Sequence, residues 1–302
     1  MSQAVDASPE GLLRVDKRGG VTSHDIVAEV RKCLGTRAVG HAGTLDPLAT
    51  GLLVVLVGRA TRLSAHLTAG DKRYLATVRF HSATDTLDAD GRVVASRPEG
   101  TPAPAREAVE RALAGLLGPL EQVPPAVSAI KVGGVPMHER VRRGEEVALA
   151  ARAVTLHEAA VLAQRGLDVD LAVHCSKGFY VRSLARDLAG ALGTLGHLVA
   201  LRRVASGALT VDGAVDGAVL ARARGGDAEA LGAVRRALEP LGSLGRYLPT
   251  VTVDAAAAEA LSHGRKVPLE GVQGERLVYG PGGAVVCLGV CEGGVLSVLR
   301  GF

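Results

Sequence analysis

The stretch GHAGTLDPLATG, residues 40–51, places Asp46 directly before Pro47 among glycines. A proline fixes its own φ and pushes the residue before it out of the helical region, so Asp46 is expected at a stiff, extended corner. Two uses of such a carboxylate fit. It can cap a helix with Pro at the first helical position. It can also act as a nucleophile, as a carboxylate attacks the anomeric carbon in a retaining glycosidase. The local sequence leaves both open.

Other residues carry chemistry with the same ambiguity. TDTLDADG, residues 84–91, offers Asp85, Asp88 and Asp90. With Asp88 and Asp90 at positions 3 and 5 of a calcium loop, Thr86 and Arg97 fall at positions 1 and 12, where carboxylates are required. The stretch therefore reads as a polar turn between strands. Arg182 falls in the first turn of a predicted helix, where a cation opposes the helix dipole. A nearby anion would offset that cost, and an arginine reaching solvent would also explain it. Tyr74 follows Asp71-Lys72-Arg73, and Tyr180 follows Lys177-Gly178-Phe179. An aromatic ring beside cations suits stacking on a base and contact with phosphates, while a tyrosine in an ordinary strand fits equally. His41, between Gly40 and Ala42-Gly43, is expected to stand exposed on a loop. The four cysteines, Cys33, Cys175, Cys287 and Cys291, form no paired CxxC spacing, so neither a zinc site nor a disulfide framework is indicated.

These residues need elements to hold them. Gly11–Val15 reads as a strand. Thr22 or Ser23 can cap a helix carrying Ile26, Val27, Val30 and Leu34 at helical spacing and ending at Gly35. LLVVLVG reads as a short buried strand, Tyr74–Phe80 as an alternating one, and Pro104–Leu117 as a helix. Residues 118–152 hold Pro119, Pro124, Pro125 and Pro136 among many charges, and are expected to form a long excursion. Leu167 to Cys175 alternate as a half-buried strand, and FYVRSLARDLAGALG continues as an amphipathic helix. Residues 212–247 read as a helical connection. Beyond Pro249, a short helix capped by Asp254 and several short strands suggest a small β-rich domain over 248–302, after a loose tail at 1–10.

The 302 residues are 47% hydrophobic and 22% charged, the balance of a globular chain. Aromatics are only 2%, so the core must be aliphatic. A net charge of +4 is compatible with a nucleic-acid partner. No apolar run reaches the roughly 18 residues of a membrane span. The start lacks a basic segment followed by an apolar stretch, so no membrane association and a cytoplasmic location are expected.

Taken together, the chain resembles the TruB family of pseudouridine synthases, the bacterial enzymes of tRNA uridine 55. GHAGTLDPLATG resembles the family's catalytic-aspartate motif and DKRGGVTSHD its N-terminal motif. DKRY, TDTLDADG, HCSKGFYVRSLARDL and the Leu-Arg-Arg at 201–203 match further segments in the family's order. The resemblance is strong over roughly residues 11–210. It implies an α+β pseudouridine-synthase fold: a central mixed, mainly antiparallel sheet flanked by helices and loops, over 11–247. The last 55 residues are similar in pattern to the small RNA-binding PUA domain.

The resemblance implies that Asp46 is the nucleophile, Tyr74 stacks on the target base, and Arg182 pairs with Asp46. Tyr180, Leu201, Lys17 and Asp88 would line or support the pocket, and His41 would occupy space vacated in the RNA loop. The implied reaction isomerises uridine to pseudouridine in the tRNA T loop, and opening the RNA could assist tRNA folding. An isomerisation of this kind needs no cofactor or metal. The expected partner is the T stem-loop, met by a monomer without guide RNA. Arg182 would lower the pKa of Asp46 while burial would raise it. Whether the carboxylate attacks C1′, attacks C6 or begins by deprotonation is left open.

Two departures stand out. Arg18 replaces the usual proline of the N-terminal motif. Gly134 to Glu139 lack the basic residues and tyrosine expected there, which bears on RNA contact by the excursion. A guide-RNA-dependent enzyme, a non-catalytic RNA-binding protein and a sugar-acting glycosidase are the competing classes. The absence of Lys-rich tails speaks against the first, the retained Asp46, Tyr74 and Arg182 against the second, and the absence of Trp platforms against the third.

Overall fold

The computed structural model describes residues 8–125 and 150–302, with the backbone alone of two short strands at Lys131–Val132 and Val135–Pro136. Most of the expected excursion, including the departure at 134–139, lies outside the described residues.

β1 (Gly11–Lys17) leads to α1 (Ser23–Leu34). Thr22 caps α1 as the sequence indicates: its side chain accepts from the Asp25 N–H while the Asp25 carboxylate accepts from the Thr22 N–H. Gly35 ends the helix at φ 64°, a conformation that costs glycine little. Arg18 forms a two-point bond to Glu29 of α1, at 2.7 and 3.1 Å. Its departure from the family pattern thus ties the loop after β1 to the helix.

β2 (Val39–Ala42) and β3 (Thr50–Val57) flank the Asp46 loop. β4 (Lys72–Phe80), α2 (Arg106–Ala114), β5 (Gly118–Gln122), β6 (Arg152–Arg165), β7 (Asp168–Cys175), α3 (Val181–Ala191) and β8 (Gly196–Ser206) follow. Then come β9 (Val215–Asp216), α4 (Gly217–Arg224) and α5 (Ala228–Arg236). The main sheet runs β9-β1-β3-β8-β4-β7-β6-β5, with β2 beside β3. Only the β1–β9 and β3–β8 pairs in this path are parallel. The sheet is therefore mixed and mainly antiparallel. Its last strand, β5, starts inside the segment read from sequence as an excursion and pairs with β6.

β10 (Thr250–Thr252), α6 (Ala255–Ser262), β11 (Val267–Pro268), β12 (Gly274–Tyr279), β13 (Val285–Glu292) and β14 (Val295–Gly301) form the C-terminal unit. Its sheet runs β10-β12-β13-β14-β11.

β3 explains how the two units meet. A strand sends alternate side chains to opposite faces. Leu53, Val55 and Val57 join a core with α1, α3, α4 and α5, whereas Leu52, Val54 and Leu56 join a second core with Leu241, Leu244, Leu277 and Leu288. All six β3 residues have no exposed surface. The unbroken apolar run LLVVLV is thus the signature of a strand covered on both sides. Glu239 reinforces the seam: it accepts from Arg14 Nε of β1 at 3.0 Å and from the Tyr247 hydroxyl at 2.7 Å. No helix among the described residues is long and apolar enough to cross a membrane.

Candidate active site

The loop between β2 and β3 is held from several sides. The Ser23 hydroxyl, at the start of α1, accepts from the Leu45 N–H at 2.9 Å and donates to the Leu45 carbonyl at 3.1 Å. The Pro47 carbonyl accepts from the Gly20 N–H at 2.9 Å and from Lys17 Nζ at 3.2 Å. Arg203 of β8 donates to the carbonyls of Gly43, Thr44 and Leu52 at 2.9, 3.3 and 2.8 Å. The segment around Asp46 is consequently fixed through its backbone. Asp46 does not begin a helix.

The Asp46 carboxylate faces a guanidinium. Arg182 Nη2 donates to Oδ1 at 3.0 Å and Nε lies 2.9 Å from Oδ2, a close ion pair with one aligned hydrogen bond. Arg182 is 4% exposed, so the sequence expectation of a nearby anion is met and solvent is not its destination. Its Nη1 donates to the Thr86 carbonyl at 3.1 Å and lies 3.5 Å from Asp88 Oδ2.

Asp88 is itself seated by its own turn. Its Oδ1 accepts from the Thr86 hydroxyl at 2.6 Å and from the Asp90 N–H at 3.2 Å. The stretch that imitates a calcium loop therefore buries one carboxylate behind Arg182. Among the described residues no cluster of three or more His, Cys, Asp or Glu could hold a metal ion.

A cavity of about 260 Å³ opens over this pair. Asp46, Tyr74, Tyr180, Arg182 and Leu201 all line it, as do Lys72, Lys177 and Arg203. β4 presents Tyr74 and β8 presents Leu201. Tyr180 is set at the start of α3 by Gln122 of β5, which accepts from its N–H at 2.7 Å and donates to its carbonyl at 3.1 Å.

Asp88, Lys17 and His41 do not line the cavity: Asp88 and Lys17 take supporting places. Lys17 is fully buried and supports the loop from behind, its Nζ donating to the Arg18, Val21 and Pro47 carbonyls. His41 is neither on a loop nor freely exposed. It sits half-buried on β2, edge-on to His24 with ring centroids 5.6 Å apart, and does not line the cavity. Two flanking glycines suggest a loop, but pairing of β2 with β3 overrides that local signal.

Burial governs the electrostatics. It pushes the Asp46 carboxyl above the usual carboxylate range; Arg182 opposes the shift and the like charge of Asp88 adds to it. The side chain still opens to the cavity with 35% of its surface. Burial raises the Tyr74 hydroxyl and lowers His41. It also lowers the amines of Lys17 and Lys72, each to about 8. Lys72, on the cavity wall, donates to the carbonyls of Thr68 and Gly70.

Sequence reasoning did not find Ser23, Gln122, Lys72 or Arg203 as site residues. Ser23 reads only as a helix cap, and Gln122 carries no signal. Lys72 and Arg203 lie in segments that match the family, DKRY and Leu-Arg-Arg, but only their neighbours Tyr74 and Leu201 are given roles there. The assembled site is a carboxylate, its arginine and two aromatic rings around a base-sized cavity. It can bind a planar ring and present an oxygen nucleophile to it.

Comparison with known proteins agrees with this geometry. The model of the TruB family pseudouridylate synthase N-terminal domain matches residues 31–181. A tRNA pseudouridine synthase B of Nocardia farcinica is 46% identical over 282 residues, covering 92% of this chain and 88% of that protein. Another, from an Arthrobacter species, is 51% identical over 208 residues, 67% of each chain. Among solved structures, a Cbf5–Nop10–Gar1 complex superposes with a TM-score of 0.72 at 25% identity, over 96% of this chain and 84% of that one.

Proposed function

The chain belongs to the TruB family of pseudouridylate synthases, and from that premise we propose that Asp46 is the nucleophile with which it converts uridine to pseudouridine in tRNA. The target is the uridine at position 55 of the T loop, bound without a guide RNA by a monomer in the cytoplasm.

In the reaction the C1′–N1 bond breaks, the uracil turns, and C1′ joins C5. The proton on C5 is lost and N1 gains one, so atoms balance without a donor or an electron carrier. The observation that carries the assignment is the close ion pair between Asp46 and Arg182 in the cavity wall. An ionised carboxylate is needed, and burial alone disfavours it. Arg182 provides the compensating charge, and Asp88 seats Arg182.

A base cannot react while stacked in RNA, and flipping it out costs a few kcal/mol. Stacking on Tyr74 recovers about 1–3 kcal/mol of that. Leu201 and Tyr180 close the remaining walls, and exposed Lys177 at the rim suits a phosphate.

Tritium release from tRNA labelled at C5 of uridine tests the proposal. Asp46→Asn is expected to bind tRNA and release no tritium. Release near the wild-type rate would overturn the assignment.

A further inference from the structure

Arg203 is the largest fully buried side chain described, at 1% exposure, and no carboxylate meets it. Its hydrogen-bond partners are the carbonyls of Gly43, Thr44 and Leu52, and it pairs in register with Tyr74 across β8 and β4. Burying a guanidinium without a counter-ion is expensive unless its donors are satisfied. Here three carbonyls accept from Nε, Nη1 and Nη2, all of them on the loop and strand that carry Asp46, while Tyr74, the register partner of Arg203, lines the same cavity.

The glycines of the Asp46 stretch fit the same residue. Gly51 has φ +93° and pairs with Arg203 across β3 and β8; a Cβ there would lie 2.3 Å from the Arg203 carbonyl oxygen. Gly43 has φ +91°, and a Cβ there would lie 3.5 Å from Arg203 Nη1. At Gly51 the main chain of residue 203 leaves no room for a side chain, while at Gly43 a Cβ would only touch the guanidinium, and the positive φ is what calls for glycine there.

We propose that Arg203 is a positioning residue for the isomerisation, one guanidinium that holds the backbone carrying Asp46 and the Tyr74 ring in fixed relation. This rests on the role proposed above for Asp46. A lysine offers a single point of donation and cannot span acceptors spread from Leu52 to Gly43.

The test is single-turnover pseudouridine formation on tRNA at saturating enzyme, with tRNA affinity and circular dichroism measured on the same protein. Arg203→Lys is expected to stay folded and to bind tRNA as wild type does, while its rate falls about 100-fold, the cost of a misplaced reacting group. Tyr74→Leu is expected to slow wild type by about tenfold through loss of the placed ring. The same change is expected to add less than its full effect in the Arg203→Lys background, because the ring is no longer placed there. An Arg203→Lys rate near wild type, a loss of rate matched by a loss of tRNA binding, or additive losses in the double variant would each overturn the proposal. If Arg203→Lys fails to fold, Arg203→Gln takes its place, and a folded Arg203→Gln protein with a rate near wild type overturns the proposal. Asp46→Asn run alongside separates the two claims, since its activity bears on the nucleophile and not on Arg203.

Discussion

The main sheet and the C-terminal sheet draw on the same aliphatic residues, yet they treat charge differently. Every buried polar or charged side chain among the described residues lies at or before Ser206, including Lys17, Lys72, Asp88, Arg182 and Arg203. Beyond it the buried side chains are Leu, Val, Ala and Cys. Removing a charge from water is costly, so its occurrence in one unit alone marks where the fold trades stability for a placed functional group. The C-terminal unit carries no such burden, and its core serves cohesion.

The contrast can be broken by experiment. The largest effect is expected from Arg182→Met, which removes the cation in contact with both Asp46 and Asp88. The rate should fall about 100-fold or more. The acid limb of the pH–rate profile should move to higher pH, because the group that lowers the Asp46 pKa is gone. An unmoved limb would show that Arg182 does not act through the charge of Asp46.

In the apolar unit, Leu277→Ala should cost about 2–5 kcal/mol of stability in denaturant titration while the folded protein keeps its turnover. A slowed but fully folded Leu277→Ala protein would erase the distinction between the two regions.

Asp88→Asn should give a smaller, opposite shift to that of Arg182→Met. Asp88 raises the Asp46 pKa, so its neutral replacement should carry the acid limb to lower pH even as the maximal rate falls. A limb that moves upward instead would mean that Asp88 matters chiefly by seating Arg182.

The smallest effect concerns Lys17. Its amine titrates near 8 in the folded chain against an ordinary 10.5, so between those values the unfolded chain holds more protons and stability rises with pH. Lys17→Met should flatten that rise in urea titrations taken across the window. An unchanged slope would show that the buried amine is not the source.

Much of this was legible in the sequence where local signals agree. The alternation of β7 and the helical spacing of α3 each predict their element, a cap at Thr22 or Ser23 is found at Thr22, and the mainly antiparallel sheet that the family resemblance implies is observed. β6 and β8 were harder. β6 is rich in alanine and carries two register shifts against β7, and β8 shifts twice against β4, so neither keeps a period of two. At the site, Asp46, Tyr74, Tyr180, Arg182 and Leu201 meet as expected. Lys17 and Asp88 support the loop and Arg182 without lining the cavity, and His41 sits on β2 rather than on an exposed loop because β2 pairs with β3. Arg203 escaped because its partners lie some 150 residues earlier, a separation at which no local pattern operates.

The double burial of β3 has a thermodynamic consequence. A strand that is half of two cores makes them one cooperative unit. Melting of the C-terminal unit would remove Leu277 and Leu288 from the core that they share with Leu12, Leu52, Val54, Leu56, Leu241 and Leu244, so the two sheets are expected to unfold together. Calorimetry should record one transition rather than two. A shorter chain ending before Leu241 should behave as a sticky, aggregation-prone species rather than as a detached catalytic domain.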